Sequence, residues 1–203
     1  MSQHGRAVVL FDLGGVLVRT VGREALQVML PHLSDAEITQ RWTASRAVDR
    51  FERGQVAPNV FAREFLAEWQ LRLSEHEFLD SFAGWVAGFF EGAKDVIAAL
   101  RGDHLVACLS NTNAIHWARM KEVVESFEFA FASHLIGVMK PDPAAYRHVL
   151  RELQVDANKV YFLDDLAPNV AAARDVGMNA FQVSGFEDVK NILRSQGLYR
   201  ERS

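Results

Sequence analysis

The run Val8-Val9-Leu10-Phe11-Asp12-Leu13-Gly14-Gly15-Val16-Leu17 is apolar throughout except for one carboxylate and two glycines. Such a run reads as a strand covered on both faces, because a strand with one wet face alternates instead. A strand of this kind demands a sheet with helices on both sides. It also sets one Asp at the carboxyl end of the strand, where open parallel sheets bind their ligands. Gly14 and Gly15 let the backbone turn sharply there and approach a ligand closely. With no Lys or Arg beside it, Asp12 is a metal ligand, a nucleophile or a turn cap, and the run alone does not choose.

Downstream of this strand the texture is helical from Arg23 to about Gly88. Ala25, Leu26, Met29, Leu30 and Leu33 mark a first helix that stops near Pro31. Ser34-Asp35-Ala36-Glu37 has capping-box spacing and opens a second, carrying Ile38 and Trp42. Gly54 breaks the pattern. Pro58 suits the first turn of a third helix with Phe61, Phe65, Leu66 and Trp69 on one face. Ser74-Glu75-His76-Glu77 opens a fourth, with Phe78, Leu79, Phe82 and Trp85. Four short amphipathic helices with no strand between them read as a small bundle.

After Gly92 helix and strand alternate. Buried strands are expected at His104–Leu109, Phe129–Ser133, Val160–Leu163 and Asn179–Val183, with helices between and after them, one of these over Ala114–Ser126. The whole is a βαβ series, hence an α/β fold with a mostly parallel, Rossmann-like sheet. Residues 1–20 and 89–203 form its core domain, and residues 21–88 an inserted helical cap. The 203 residues suffice for that arrangement.

Charge and cysteine usage narrow the partners. A net charge of −4 gives neither a basic footprint for nucleic acid nor a polybasic patch for membranes. The lone Cys108 lies inside an apolar strand and belongs to the core, which suits a reducing compartment. Met1–Arg6 is polar and runs straight into the first strand, so a cytoplasmic location is expected; the oligomeric state is expected to be a monomer or homodimer.

Four strand ends converge on one edge of this sheet. The first carries Asp12 and the glycine turn. The second carries Ser110-Asn111-Thr112-Asn113 at a helix start, a natural seat for phosphate oxygens. Lys140 sits on a stiff loop before Pro141, and Asp164-Asp165 end the fourth strand. Paired acids repel unless a cation or Lys lies between them, and Mg²⁺ favours oxygen donors with few protein carboxylates. Taken singly, each feature has a plain structural reading as a helix cap or a solvated charge; their convergence argues for a site.

These residues resemble the haloacid dehalogenase-like hydrolases, in the branch with a small helical cap after the first strand. Phe11-Asp12-Leu13-Gly14-Gly15-Val16, Leu109-Ser110-Asn111, Lys140-Pro141 and Phe162-Leu163-Asp164-Asp165 are similar to the four motifs of that family, in order. The stretch from Lys140 to Met178 is similar to bacterial sugar-1-phosphate phosphatases, such as those acting on α-D-glucose-1-phosphate. It also resembles the phosphatase domain of soluble epoxide hydrolases. The resemblance implies Asp12 as nucleophile and Mg²⁺ held by Asp12, the Gly14 carbonyl and Asp165. It implies Lys140, Ser110 and Asn111 on the phosphoryl group, and Asp164 behind them, orienting Lys140 or a metal-bound water. The implied substrate is a small phosphorylated metabolite, with sugar phosphates among the candidates.

One position departs from the pattern. Most phosphatases of the family carry a second Asp two residues after the nucleophile as general acid and base; here that residue is Gly14. Two alternatives stand beside the phosphatase: a phospho-ligand-binding or regulatory protein with little turnover, and a haloacid dehalogenase. Glu52 and Arg53, at the break in the helical segment, are the cap residues expected to reach inward or to be solvated. Trp42, Trp69 and Trp85 are expected in the cap core. His116 and Trp117 are expected to be solvated or to face the site.

Overall fold

The computed structural model describes residues 6–200. Of the polar N-terminal stretch Met1–Arg6, all but Arg6 therefore lies outside the described residues. In chain order the elements are β1 (Val8–Phe11), β2 (Val18–Thr20), α1 (Gly22–Met29), α2 (Asp35–Ala44), α3 (Arg46–Glu52), α4 (Pro58–Trp69), α5 (Glu75–Ala83) and β3 (Val86–Phe89). There follow α6 (Ala93–Leu100), β4 (Leu105–Ser110), α7 (Ala114–Arg119), α8 (Lys121–Val124), β5 (Phe129–Ala132), α9 (Ser133–Ile136) and α10 (Pro143–Leu153). Then come β6 (Val160–Asp164), α11 (Ala167–Asp175), β7 (Asn179–Gln182) and α12 (Phe186–Ser195).

Five strands form a parallel sheet in the order β5-β4-β1-β6-β7, with β1 at its centre. The central place explains the sequence of β1: all four of its residues are buried. Val9 and Phe11 point to one face, where α6, α8 and α12 cover them through Val96, Ile97, Val123, Val189 and Leu193. Val8 and Leu10 point to the other, against Tyr146, Val149 and Leu153 of α10 and Val170 and Ala173 of α11. Cys108 is buried in β4, and burial pushes its thiol strongly upward, as for a core residue. Among the described residues, no helix is long and apolar enough to cross a membrane.

Helices α1–α5 enclose a separate apolar cluster built on Phe51, Phe61, Phe65, Trp69, Phe78 and Phe82. Its rings stack closely, Phe51 on Phe61 at 4.2 Å and Phe65 on Phe78 at 4.8 Å between centroids. Trp42, Trp69 and Trp85 all pack in this cluster, as their spacing predicts. Ser34 and Ser74 each close a complete capping box, and Pro58 starts α4.

Three details differ from the sequence reading. The helical segment holds five helices, because Ser45 ends α2 and caps α3 through the Val48 N–H, so Arg46–Glu52 turns away as its own element. Trp85 lies beyond the end of α5, and the next four residues form β3, antiparallel to β2. This two-stranded ribbon carries the chain out of the sheet and back again. The helix expected over residues 114–126 is broken at Met120 into α7 and α8.

Candidate active site

Asp12 follows directly on β1, and its backbone N–H donates to the Leu163 carbonyl of β6 at 2.9 Å. Because Phe11 is in register with Leu163, Asp12 stands level with Asp164 on the neighbouring strand. Side chains at matching positions of paired strands share a face. Two carboxylates are thus forced together on the α10 side of the sheet, where only a cation makes them tolerable.

Lys140 supplies it. Its Nζ donates to Asp12 Oδ1 at 2.7 Å and to Asp164 Oδ2 at 2.6 Å. The lysine side chain is 1% exposed and that of Asp164 is 0%. The Asn111 side chain fixes the loop that delivers it, donating to the Lys140 carbonyl at 2.8 Å and accepting from the Lys140 N–H at 2.9 Å. Asp164 is further held by the Leu166 N–H and by the side-chain amide of Asn169, whose backbone carbonyl accepts from the Tyr146 hydroxyl. Asn169 is not among the residues that the strand-end spacing points to; an amide in the first turn after Asp164-Asp165 is the available signal.

The electrostatics follow from this packing. Burial pushes the Asp12 carboxyl up, Lys140 opposes it, and Asp164 adds to it, leaving the group raised. Burial alone would lower the Lys140 ammonium, but Asp12 and Asp164 outweigh it and the net shift is upward. Asp165 is half-buried and raised, by desolvation first and by Asp164 second.

Donor atoms of Asp12, Asp164 and Asp165 all lie within 4.8 Å of one another. Asp164 is spoken for by Lys140 and Asn169, which leaves Asp12 and Asp165 as the freer carboxylates. In the turn after β1, the Gly15 N–H donates to Val18, while no described backbone N–H bonds the Gly14 carbonyl. Two hard oxygen anions beside an unclaimed carbonyl suit Mg²⁺. Gly15, with φ +75°, is where the turn requires glycine: a Cβ there would come within 2.8 Å of Asp165 Oδ2. Gly14 is not left-handed, and its Cβ would meet only the Thr20 methyl, at 3.6 Å.

The hydroxyl-rich turn divides its labour. Ser110 ends β4 and is buried near the strand ends. Thr112 exchanges backbone hydrogen bonds with the Ser133 hydroxyl, and the Asn113 side chain caps α7. His116 neither faces the site nor is solvated: it stacks on Phe82 at 4.2 Å, and its Nε2 pairs with the Phe82 carbonyl. It braces α5 against α7. Trp117 packs edge-on to His134 at 6.0 Å.

The end of α3 docks on this edge of the sheet. Gly54, with φ +69°, lies so close to α9 that a Cβ would reach within 2.2 Å of the His134 carbonyl. Arg53 is tied back to Asp49 at 2.9 Å on its own helix. Glu52 is half-buried, and its carboxyl is pushed up to about 7, by burial first and then by the Asp12 charge.

Comparison with known proteins gives one picture. A family model for haloacid dehalogenase-like hydrolases matches residues 7–177. A sesquiterpene phosphatase of Aspergillus oryzae is 29% identical over 175 residues, covering 83% of this chain and 85% of that one. A plasmid-encoded phosphoglycolate phosphatase of Cupriavidus necator is 30% identical over 184 residues, covering 84% of this chain and 77% of that one. Among solved structures, a haloacid dehalogenase family enzyme of Bacteroides thetaiotaomicron, in complex with magnesium and inorganic phosphate, shares the fold with a TM-score of 0.76. It is 21% identical, and the match covers 94% of this chain and 100% of that one.

Proposed function

Because the chain belongs to the haloacid dehalogenase-like hydrolases, we propose that it is a Mg²⁺-dependent phosphatase of a small phosphorylated metabolite. The observation that carries this reading is the buried Asp12–Lys140–Asp164 triad with Asp165 beside it. In this reading Asp12 attacks phosphorus in line and forms an aspartyl-phosphate. Lys140 holds Asp12 and a phosphoryl oxygen, while Ser110 and the Asn111 backbone N–H take the remaining oxygens. Asp164 positions Lys140. Asp12, the Gly14 carbonyl and Asp165 would hold Mg²⁺, which would supply positive charge to offset that of the phosphoryl group. The named phosphatase relatives support the reaction class, and the magnesium and phosphate bound by the Bacteroides structure support the cofactor. A sugar phosphate is the favoured substrate, and the core position of Cys108 supports a cytoplasmic location.

Activity should vanish in EDTA and return with Mg²⁺, since a site of net negative charge repels a phosphate dianion unless a cation is present. Assays with p-nitrophenyl phosphate and a panel of phosphorylated metabolites read this directly. Activity that survives complete metal removal would favour the haloacid dehalogenase reading. A tight phosphate complex with no turnover would favour a binding protein.

Residues 21–88 are the cap of this reading, closing over the core of residues 1–20 and 89–203. Asp12 is only 8% exposed, and in this reading the helical segment lifts to admit the substrate and closes again over it. Gly54→Ala places a methyl against the His134 carbonyl and strains a left-handed position. It should hold the seat open and lower kcat/KM about 10- to 100-fold while the protein still unfolds cooperatively. Unchanged kcat/KM would show that this contact does not govern closure.

A further inference from the structure

A phosphate monoester leaves an alkoxide that needs a proton, and the side chains around Asp12 are nearly all committed. Lys140 is pinned between two carboxylates, and Asp164 accepts from Lys140, Leu166 and Asn169. Gly14 brings no side chain. Asp165 lies in the acidic cluster, on the side of the proposed cation. Both ring nitrogens of His116 are occupied, by Phe82 and Asn113. Arg53 is paired with Asp49.

Glu52 is the exception. Its neighbour Phe51 is anchored in the helical cluster, stacked on Phe61, and Gly54 is pressed against α9. One residue along a helix turns the side chain by about 100°, so Glu52 cannot share the bed of Phe51. Its carboxyl is close enough to Asp12 and Lys140 for both charges to act on it. Among the described residues it has no hydrogen-bond or ion-pair partner. In-line displacement puts the leaving oxygen on the side of phosphorus away from Asp12, and Glu52 comes to this neighbourhood from the helical segment, not from the sheet that carries Asp12.

We propose that Glu52 is the acid that protonates the leaving oxygen and the base that then deprotonates the attacking water. This rests on the phosphatase reading above. In the first step an Asp12 carboxylate oxygen bonds to phosphorus and the phosphorus–alkoxyl bond breaks. Its electron pair stays on the leaving oxygen, which takes the Glu52 proton and departs as an alcohol. In the second step water attacks phosphorus and gives its proton to the Glu52 carboxylate. The bond from phosphorus to Asp12 breaks, releasing inorganic phosphate and restoring both carboxyl groups. A carboxyl raised to about 7 holds enough protonated form near neutral pH for the first step and is basic enough for the second. The ionisable groups on the elements around it are Arg46, Asp49 and Arg50 on α3, Arg53 just past its end, Arg63, Glu64 and Glu68 on α4, and His134 on α9, with the Asp12 and Lys140 charges also acting on it.

The test compares two leaving groups on Glu52→Gln in the presence of Mg²⁺, by rapid mixing. p-Nitrophenolate departs without a proton. The variant should therefore release one equivalent within about threefold of the unmodified rate, then turn over slowly for want of a base. With n-propyl phosphate the first step itself should fail, and kcat/KM should drop about 10²- to 10⁴-fold. Glu52→Asp should recover part of that loss and Glu52→Ala none. The fall of kcat/KM above about pH 7 on n-propyl phosphate should disappear in Glu52→Gln. Equal first-step losses on both substrates, or no loss on either, would overturn the role of Glu52 and leave the phosphatase reading standing. An unmodified protein that hydrolyses neither substrate would sink both.

Discussion

Asp12→Asn should reduce turnover on the order of 10⁴-fold or more, the scale on which removing a covalent nucleophile acts, and leave the melting temperature nearly unchanged. The two halves of that expectation come from one geometry. Asp12 accepts from Lys140 Nζ at 2.7 Å, and an Asn amide oxygen can accept the same bond. The Asp12 carboxyl is buried and raised, so the charge is held there at a cost that the neutral amide does not incur. Lys140 keeps Asp164 at 2.6 Å and does not become an unpaired buried cation. What Asn lacks is the anionic oxygen that bonds to phosphorus. Acid quenching during turnover, followed by peptide mass spectrometry, should find the phosphoryl group on Asp12 in the unmodified protein and nowhere in the variant. Phosphoryl label on Ser110 or a histidine, or turnover within tenfold of the unmodified rate, would refute Asp12 as the nucleophile.

Local signals in the sequence were enough for most of the fold. Ser34, Ser74 and Pro58 act on backbone groups three residues away or nearer, so their helix starts are written beside them. The both-faces-apolar composition of β1 likewise needs no distant partner to be read. Val86–Phe89 was illegible for the opposite reason: it is a strand only because Val18–Thr20, far back in the chain, pairs with it. The helical spacing of Phe78 and Phe82 runs straight on to Trp85 and masks the change. Ser45 hides a break inside an apolar pattern that stays in phase across it.

The site divides in the same way. Asp12, Lys140, Asp164 and Asp165 sit at strand ends, and the parallel topology brings strand ends together whatever the loops do. The resemblance implies Asn111 on the phosphoryl group, and besides that its side chain holds the lysine loop. That role depends on where residues 137–141 return, which no nearby residue announces. The place of Glu52 depends on how a whole helical segment seats on the sheet, through Gly54 and the His134 carbonyl. A composition-based reading could only say that it reached inward or did not.

Lys140→Met tests the stored electrostatics of the site most severely. The methionine stem fills the place of the lysine stem over the Phe162 ring, where Nζ now lies 5.4 Å from the centroid. The charge is lost, and Asp12 and Asp164 then face each other in a buried setting with no counter-ion. Breaking a buried ion pair from one side costs about 3–5 kcal/mol, because the remaining charge has nowhere to go. The sign of the pH dependence follows. Without Lys140 the Asp12 carboxyl, already raised by burial and by the Asp164 charge, loses the one partner that opposes the rise and stands further above its unfolded value of about 3.9. Below that value both states are protonated and the penalty is absent. As pH rises from there through the raised folded value of Asp12, the unfolded chain sheds a proton that the folded chain retains or loses at a cost, and stability falls. The gap in melting temperature between the two proteins should thus be small near pH 4 and widest at pH 8. Mg²⁺ should narrow it at pH 8, since a cation bound to Asp12 and Asp165 replaces part of the lost charge and stabilises the state that binds it. Phosphatase activity should stay depressed about 10²- to 10³-fold even with the metal, the scale of losing one charge-stabilising donor at the reacting group. A variant that melts within a degree of the unmodified protein at pH 8 without Mg²⁺ would mean that the two carboxylates are not held together as charges, and the account of Asp12 as an ionised nucleophile would fall with it.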